Sequence, residues 1–346
     1  SIPDNDFSAE YVELLRSGFS EGCTMPGGFH VLMQKLLGPF GLFFTDAAHP
    51  AVKQHSAELL LAELERAEEL EGVLSSTADA LEASGYDLQV PIMPSGVNLF
   101  LEGPAGRERI YRDGDGFRLR TSGEPLHAAQ IRKAAETDPT ALSPNVLFRP
   151  VVESAVFPTL AYVGGPGEMA YFAQLRAYFE AHDIEMPIVF PRFAATIVET
   201  KIRKVLTKFD VGIESLNRPF HEISTELARE GVPEDVRAAI GKLRGSLGAG
   251  VGELQKAATA VDPTLKGPVQ HLRSSAFAAL DDVEKKVTQA VKRESEITLS
   301  QLEKAKLHLF PNGKPAERVQ SPIYYLTRYG GSVLEHLHEA FVVNLD

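Results

Sequence analysis

At 346 residues, 44% hydrophobic and 24% charged, the chain is ordinary in composition and longer than one hydrophobic core usually organises, so two structural units are expected. A formal charge of −12 and a pI near 5.4 argue against broad nucleic-acid binding and against adsorption to anionic membranes, since both need clustered positive charge. No apolar run approaches the ~20 residues that cross a bilayer, and the best stretch, 146–163, is interrupted by Arg149, Glu153 and two prolines.

The opening SIPDNDFSAE has neither the basic region nor the apolar core of a secretory signal. It also lacks an initiator Met, so the chain reads as processed or cut from something longer. The single cysteine, Cys23, excludes an internal disulfide and every multi-cysteine metal motif, and suits a soluble cytoplasmic protein. In SEGCTMPGG it reads as a structural residue. The ten histidines are dispersed; His336 and His338 lie two apart on a helical pattern and point to different faces, so no metal site is expected.

In chain order, an amphipathic helix carrying Tyr11, Leu14 and Leu15 opens the sequence and a turn-rich segment follows to about residue 30. FHVLMQKLLG reads as a helix, GLFFTD as a short strand, and a Pro50-started helix runs through Glu71 and beyond. Asp46 and His49 fall in the strand-to-helix loop, where ligand groups gather in α/β sheets; capping the helix is the plainer role for Asp46. A second helix ends at Gly85, before YDLQVPI and VNLFLEG. ERIYRDGDGFRLR reads as a β-hairpin with an Asp-Gly turn, spanning 107–121 as an insertion or edge element.

The stretch 141–200 is the most informative. PTLAYV is a β-rich run, GGPGE a glycine turn, MAYFAQLRAYFEAH a helix of 3.6-residue period, and MPIVFPR the next strand. This is a βαβ unit, so its strands should be parallel. Glycines let backbone N–H groups face a ligand, and the helix N-terminus adds positive potential, so Gly164, Gly165 and Gly167 are candidates to cradle an anion. Glu168 would repel a phosphate there; it suits an amine, a hydroxyl or general-base work, or simply complements the helix dipole. Arg149 and Arg192 flank the loop, and an arginine at the C-terminal end of a strand suits carboxylate or phosphate recognition. Asn145 and Tyr171 are secondary candidates. The loop is neither GxGxxG nor a Walker A sequence.

Beyond Arg192 the chain turns helical and charged. Val236, Ile240, Leu243, Leu247, Gly250, Leu254, Ala257 and Val261 step by four and three, a heptad seam. Asp262-Pro263 breaks it. A second seam runs through Leu280, Val283, Val287 and Ala290, is interrupted at Glu294 before Ile297, and resumes out of step at Leu302, Ala305 and Leu309. Residues 236–309 therefore form an antiparallel helical arm that favours a homodimer. FPNGKP ends the arm, and ERVQSPIYYLTRYGG with the last helix returns to the body. The expected class is α/β with a partial, Rossmann-like parallel-sheet core over 1–197. The coiled-coil arm and closing segment then take 198–346.

SPNVLFRPVVESAVFPTLAYVGGPGEMAYFAQL, then MPIVFPR, resembles the core of the bacillithiol-biosynthesis cysteine-adding enzymes, the BshC family. PAERVQSPIYYLTRYGG is similar to that family's closing motif, with weaker likeness at GLFFTD and SGYDLQV. The resemblance implies a Rossmann-like core, a coiled-coil arm and a dimer, and the addition of L-cysteine to glucosaminyl malate. The family's GQQ…GPLY and EDHD segments do not occur here, and position 153 is glutamate where the family commonly has glutamine. Amide formation from a carboxylate needs activation, for which the resemblance implies ATP, although no HIGH, KMSKS or Walker A motif is present. On that reading Arg149 and Arg192 hold malate carboxylates or a phosphate, residues 164–167 cradle an oxyanion, and Glu168 orients the amine or takes its proton. Cys23 has no part in it. The competing reading is a non-catalytic α/β ligand-binding body with a coiled-coil dimerisation module; ligation of a different amine is a third.

Overall fold

A computed structural model of the protein describes residues 3–294 and 296–343. The side chains of Glu294, Ile297 and Thr298 lie outside what it describes, and with Glu294 and Ile297 goes the interruption expected in the second seam. The described residues pack as two units: residues 13–193, and residues 3–12 with 194–343. The boundary expected after residue 197 thus lies at 193, and residues 3–12 join the helical unit.

The helices α1 (Asp6–Gly18), α2 (Met25–Leu37), α3 (Pro50–Glu65) and α4 (Ala67–Ala83) come first. Thr24 caps α2 by accepting the Gly27 N–H, so this helix starts four residues before the FHVLMQKLLG pattern. GLFFTD is no strand: Phe43 is 97% exposed, and no neighbouring strand takes up its backbone groups. His49, rather than Asp46, caps α3, its Nδ1 accepting the Ala51 N–H at 3.2 Å. Asp46 closes a turn on the Ala48 N–H.

The strands β1 (Gly96–Gly103), β2 (Gly106–Asp113), β3 (Gly116–Leu119) and β4 (Pro125–Leu126) precede α5 (Ala128–Thr137) and β5 (Leu142–Pro144). They form one antiparallel sheet in the order β4-β3-β2-β1-β5. The predicted hairpin is present, with Gly114 at φ 56° in its two-residue turn. It is no edge insertion, however, because β2 is the middle strand. Val97, Leu99, Leu101, Ile110 and Leu119 from this sheet share one core with Leu60, Leu64, Leu70 and Leu74 of α3 and α4.

After α6 (Arg149–Val156) come β6 (Ala161–Gly164), α7 (Pro166–Phe172), α8 (Arg176–Ala181) and β7 (Ile188–Pro191). β6 and β7 pair in parallel, as the βαβ reading requires, with the single expected helix broken into two. Parallel pairing is confined to these two strands among the described residues. Phe172, Leu175, Tyr178 and Phe179 anchor the crossover in the common core. Gln174 pins it to the SGYDLQV segment, exchanging two hydrogen bonds with the Val90 backbone at 2.9 and 3.1 Å.

The helical unit contains α9 (Thr200–Phe209), α10 (Phe220–Glu230), α11 (Glu234–Val261), α12 (Lys266–Glu294), α13 (Glu296–Leu309), α14 (Ile323–Tyr329) and α15 (Ser332–Ala340). Asp262 ends α11 and accepts the Thr264 N–H, starting the reversal. Arg244 pairs with Asp281 and Glu284, and Gly248 faces Phe277. Partners that descend along α12 as numbers rise along α11 make the pair antiparallel, as expected. The seam differs. Val251, outside the heptad list, is the buried residue of α11, whereas Leu243, Leu254 and Val261 are exposed. A single neighbouring helix covers one stripe only, and the sequence period alone does not say which.

Leu302, Ala305 and Leu309 are fully buried; Ala305 and Leu309 pack with Ile202 and Leu206 of α9. The closing segment, expected on the α/β body, belongs to the helical unit. There Gly330, at φ 71°, comes against Phe7, where no side chain would fit.

Candidate functional site

The C-terminal ends of β6 and β7 finish side by side, Gly164 opposite Pro191, and the Arg192 N–H donates to the Gly164 carbonyl at 2.8 Å. A Cβ on Gly165 would lie 2.7 Å from Arg192 Nη2, so the guanidinium rests on the glycine itself. Glu168 reaches back to the start of its own helix. Its Oε2 accepts the Gly165 N–H at 2.8 Å, its Oε1 accepts the Tyr162 hydroxyl at 2.9 Å, and Arg192 Nη1 stands 3.9 Å from Oε2. This is the N3-to-N-cap half of a capping box, Gly165 having no side chain to complete it. The Gly165 N–H, against the effect of burial, holds the Glu168 carboxyl below the usual range, helped by Tyr162, Arg192 and Arg149.

Two expectations change as a result. The cradle of Gly164, Gly165 and Gly167 already holds an anion, the carboxylate of Glu168, and Gly167 is exposed beside Gln89. Glu168, ionised and accepting through both oxygens, orients the loop and Arg192; it is poorly suited to take a proton at neutral pH.

Arg149 is the first residue of α6 rather than the end of a strand. It still joins the cluster: its charge lowers Glu168, and despite burial Glu153, Tyr171 and Tyr162 together raise its own proton affinity. Asn145 sets it there. The Asn145 Oδ1 accepts the Leu147 and Phe148 N–H groups at 3.0 Å, and its Nδ2 donates to Asn98 Oδ1 at 2.8 Å. Asn145 is buried and bonded through both its amide oxygen and nitrogen, which positions the start of α6. Tyr171 lies near the end of α7, not in its first turn. Its buried hydroxyl meets no full hydrogen-bond geometry among the described residues, yet lies close enough to Arg149 and Tyr162 to shift both.

Two members were not among the site residues expected from the sequence, although Glu153 was noted there as a departure from the family's common glutamine. Tyr162 packs against Phe172, ring centroids 4.5 Å apart and tilted by 40°, and clamps Glu168; burial, then Tyr171 and Glu168, push its hydroxyl well up. Glu153 stands 3.5 Å from Arg149 Nε, one turn along α6. Burial raises its carboxyl, Arg149 opposes the shift, and the charge of Glu168 adds to it. Its signal in the sequence was the i,i+4 spacing from Arg149.

Two other carboxylates are enclosed. In the body, Glu63 takes the Tyr178 hydroxyl at 2.7 Å and the Asn98 N–H at 3.3 Å, with His182 Nε2 3.2 Å away and both side chains 1% exposed. In the helical unit, Glu199 accepts from Tyr329 at 2.5 Å and Tyr324 at 3.2 Å, beside His308 at 3.0 Å and Lys201 at 3.3 Å. Burial opposes its ionisation, but Tyr329, His308 and Lys201 keep Glu199 below the usual range. Tyr324 and Tyr329 come from the PAERVQSPIYYLTRYGG motif, which therefore closes the helical unit.

An α/β body with a βαβ unit, followed by a unit built on an antiparallel pair of long helices, defines a two-domain protein of Rossmann-like and coiled-coil type. Residues 1–193 match the model for the N-terminal Rossmann-like domain of bacillithiol biosynthesis BshC, and residues 195–343 that for its C-terminal coiled-coil domain. The chain belongs to the BshC family. It is 31% identical to a protein of Prosthecochloris aestuarii over 97% of this chain and 62% of that one. Identity is also 31% with a protein of Chlorobaculum tepidum, with the same shares, and 29% with one of Salinibacter ruber over 98% and 62%. Each of the three is named "Putative cysteine ligase BshC". The chain spans about 62% of the length of these relatives.

Proposed function

We propose that this chain takes part in adding L-cysteine to glucosaminyl malate, forming an amide, and that Arg149 and Arg192 hold the malate carboxylates. The observation that supports this reading is the half-exposed Arg192 guanidinium resting on Gly165 beside Glu168, with the half-exposed Arg149 near enough to lower the Glu168 carboxyl. A guanidinium in that setting offers bidentate recognition of a carboxylate. Family membership supplies the substrate class. Glu168 and Tyr162 fix the loop and Arg192, and Asn145 fixes the start of α6.

ATP is the proposed source of carboxyl activation, but its phosphates do not fit this loop. A phosphate cradle needs free N–H groups, and here Glu168 takes the Gly165 N–H, so an anion is left to the arginines. Incubation with glucosaminyl malate, cysteine and ATP, followed by mass spectrometry, should yield the thiol-bearing amide. A stoichiometric malate complex without product would instead favour the non-catalytic ligand-binding reading, which the pinned state of Glu168 already supports.

The homodimer belongs to the same proposal. Leu243, Leu254 and Val261 leave an apolar stripe on α11 that α12 does not cover, and its heptad steps suit a second helical pair. Light scattering at tens of micromolar should give twice the chain mass, and Leu254→Asp should halve it; a monomeric parent would remove the dimer from the account.

A further inference from the structure

The cluster holds two guanidinium groups and two carboxylates, and the carboxylates are not equivalent. Glu168 is committed, accepting from a backbone N–H and a tyrosine hydroxyl. Glu153 has one partner among the described residues, Arg149, at the long distance of 3.5 Å, and it accepts no hydrogen bond from backbone or hydroxyl. Its side chain is about one-third open to solvent, 36%, and that of Arg149 is 46%. An incoming carboxylate seeking Arg149 therefore meets a charge already in place and loosely held.

We propose that Glu153 gates the anion site: it occupies Arg149 when no ligand is bound and must be neutralised or displaced before an external anion reaches that guanidinium. The proposal rests on the reading of Arg149 and Arg192 as anion-binding residues and adds a regulation to it.

The electrostatics favour neutralisation. Groups facing Glu153 are Arg149 on its own helix and Glu168 from α7; Tyr162 of β6, Tyr171 of α7 and Arg192 beyond β7 face those two in turn. With two cations and two carboxylates the cluster carries no net charge, so a further anion gains little attraction. Protonating Glu153 leaves one positive charge for the ligand. Glu168 cannot serve in this way, because its hydrogen bonds and neighbouring arginines hold the proton off. Burial and the Glu168 charge make Glu153 the carboxyl that accepts a proton more readily. Anion binding should thus take up a proton and weaken as pH rises through the elevated titration of Glu153.

The test is calorimetric titration of the full chain with sulfate, whose charge stays constant over the range, and with L-malate. It should run from about pH 5 to about pH 8 in buffers of differing ionisation enthalpy. The parent should lose about tenfold in affinity for each unit by which pH exceeds the Glu153 titration point, and should take up a proton on binding. Glu153→Gln, which keeps the shape, should bind about tenfold or more tightly than the parent at the upper pH, with a flat profile and no proton uptake. An E153Q protein with parental affinity and parental pH dependence overturns the gate. Weaker binding by E153Q throughout also overturns it, making Glu153 a direct contact. Arg149→Ala and Arg192→Ala tell the two levels apart. If both bind sulfate and malate as the parent does, or if no protein binds either anion, the site reading fails and the gate with it. If they lose binding while E153Q matches the parent, the site stands and the gate alone falls.

Discussion

Glu63 and the Glu153–Glu168 pair sit in the same α/β body and show two ways of keeping a carboxylate. Glu63 is sealed from solvent, and the tyrosine and backbone donors around it meet its hydrogen-bonding needs. The Glu153–Glu168 pair lies at the open end of the β6–β7 pair, shares two arginines, and leaves one carboxylate with a single long contact. Enclosed and satisfied groups hold a core in one arrangement; open and contested ones can exchange an internal partner for a ligand. The difference predicts where a mutation costs stability and where it costs binding.

The largest effect should come from the sealed centre. Glu63→Ala strands the Tyr178 hydroxyl and the Asn98 N–H in the core and should cost about 3 kcal/mol or more. Hydrogen exchange of β1 and α8 amides would show it, and a loss below about 1 kcal/mol would erase the contrast. At the open centre, Arg192→Ala should weaken L-malate binding by about 1.5–3 kcal/mol, the usual range for a charged hydrogen bond. Protection of those same amides should be unchanged. Destabilisation comparable to that of E63A would make Arg192 a structural group.

The enclosed carboxylate of the helical unit sharpens the contrast through pH. Burial lowers the proton affinity of His308, with Lys201 and Arg328 adding to it against Glu199, and Glu199 itself lies below its ordinary value. For both groups the unfolded chain binds protons more readily, so stability rises with pH. It is full above the unfolded histidine value of 6.5 and should fall on acidification, first through the His308 titration and again below 4.5 as Glu199 protonates. Amides of α13 and α14 should exchange faster at acid pH after correction for intrinsic rates; slower exchange would reverse the assignment. Smaller still, Tyr162→Phe removes one of the two donors to Glu168 and should cost about 1 kcal/mol. Asp46→Ala, which frees one exposed turn N–H, should stay within about 0.5 kcal/mol and leave anion binding alone.

What could be read from the sequence followed from how local each feature is. The βαβ unit was legible because Gly164 to Gly167 and the prolines around β7 fix its turns within a few residues. The hairpin was legible for the same reason, but the placement of β2 at the centre of a sheet depends on β1 and β5, whose register Leu99↔Pro144 joins residues 45 apart and lies beyond the reach of a pattern. GLFFTD has the composition of a strand and lacks a neighbour to pair with. In the arm, the heptad spacing gave two antiparallel helices, yet Val251 rather than Leu254 is buried, since a helix with apolar residues on two faces can turn either inward. At the site, Arg192 and the loop followed from topology. The engagement of Glu168, the sealing of Asn145 and the part of Glu153 depend on side-chain geometry across α6, β6 and α7, which no single segment encodes.

The central claim is that Arg149 and Arg192 share one external anion at the Gly164–Glu168 loop. The Nε–Hε resonances of these two arginines, assigned by substitution and followed by NMR during L-malate addition, test it most directly. The account predicts that both shift together with one dissociation constant, while Arg66 and Arg132, paired to Glu69 and Glu65 elsewhere on the body, stay still. Shifts confined to Arg66 or Arg132, or no movement of Arg149 and Arg192 at saturating malate, would contradict it.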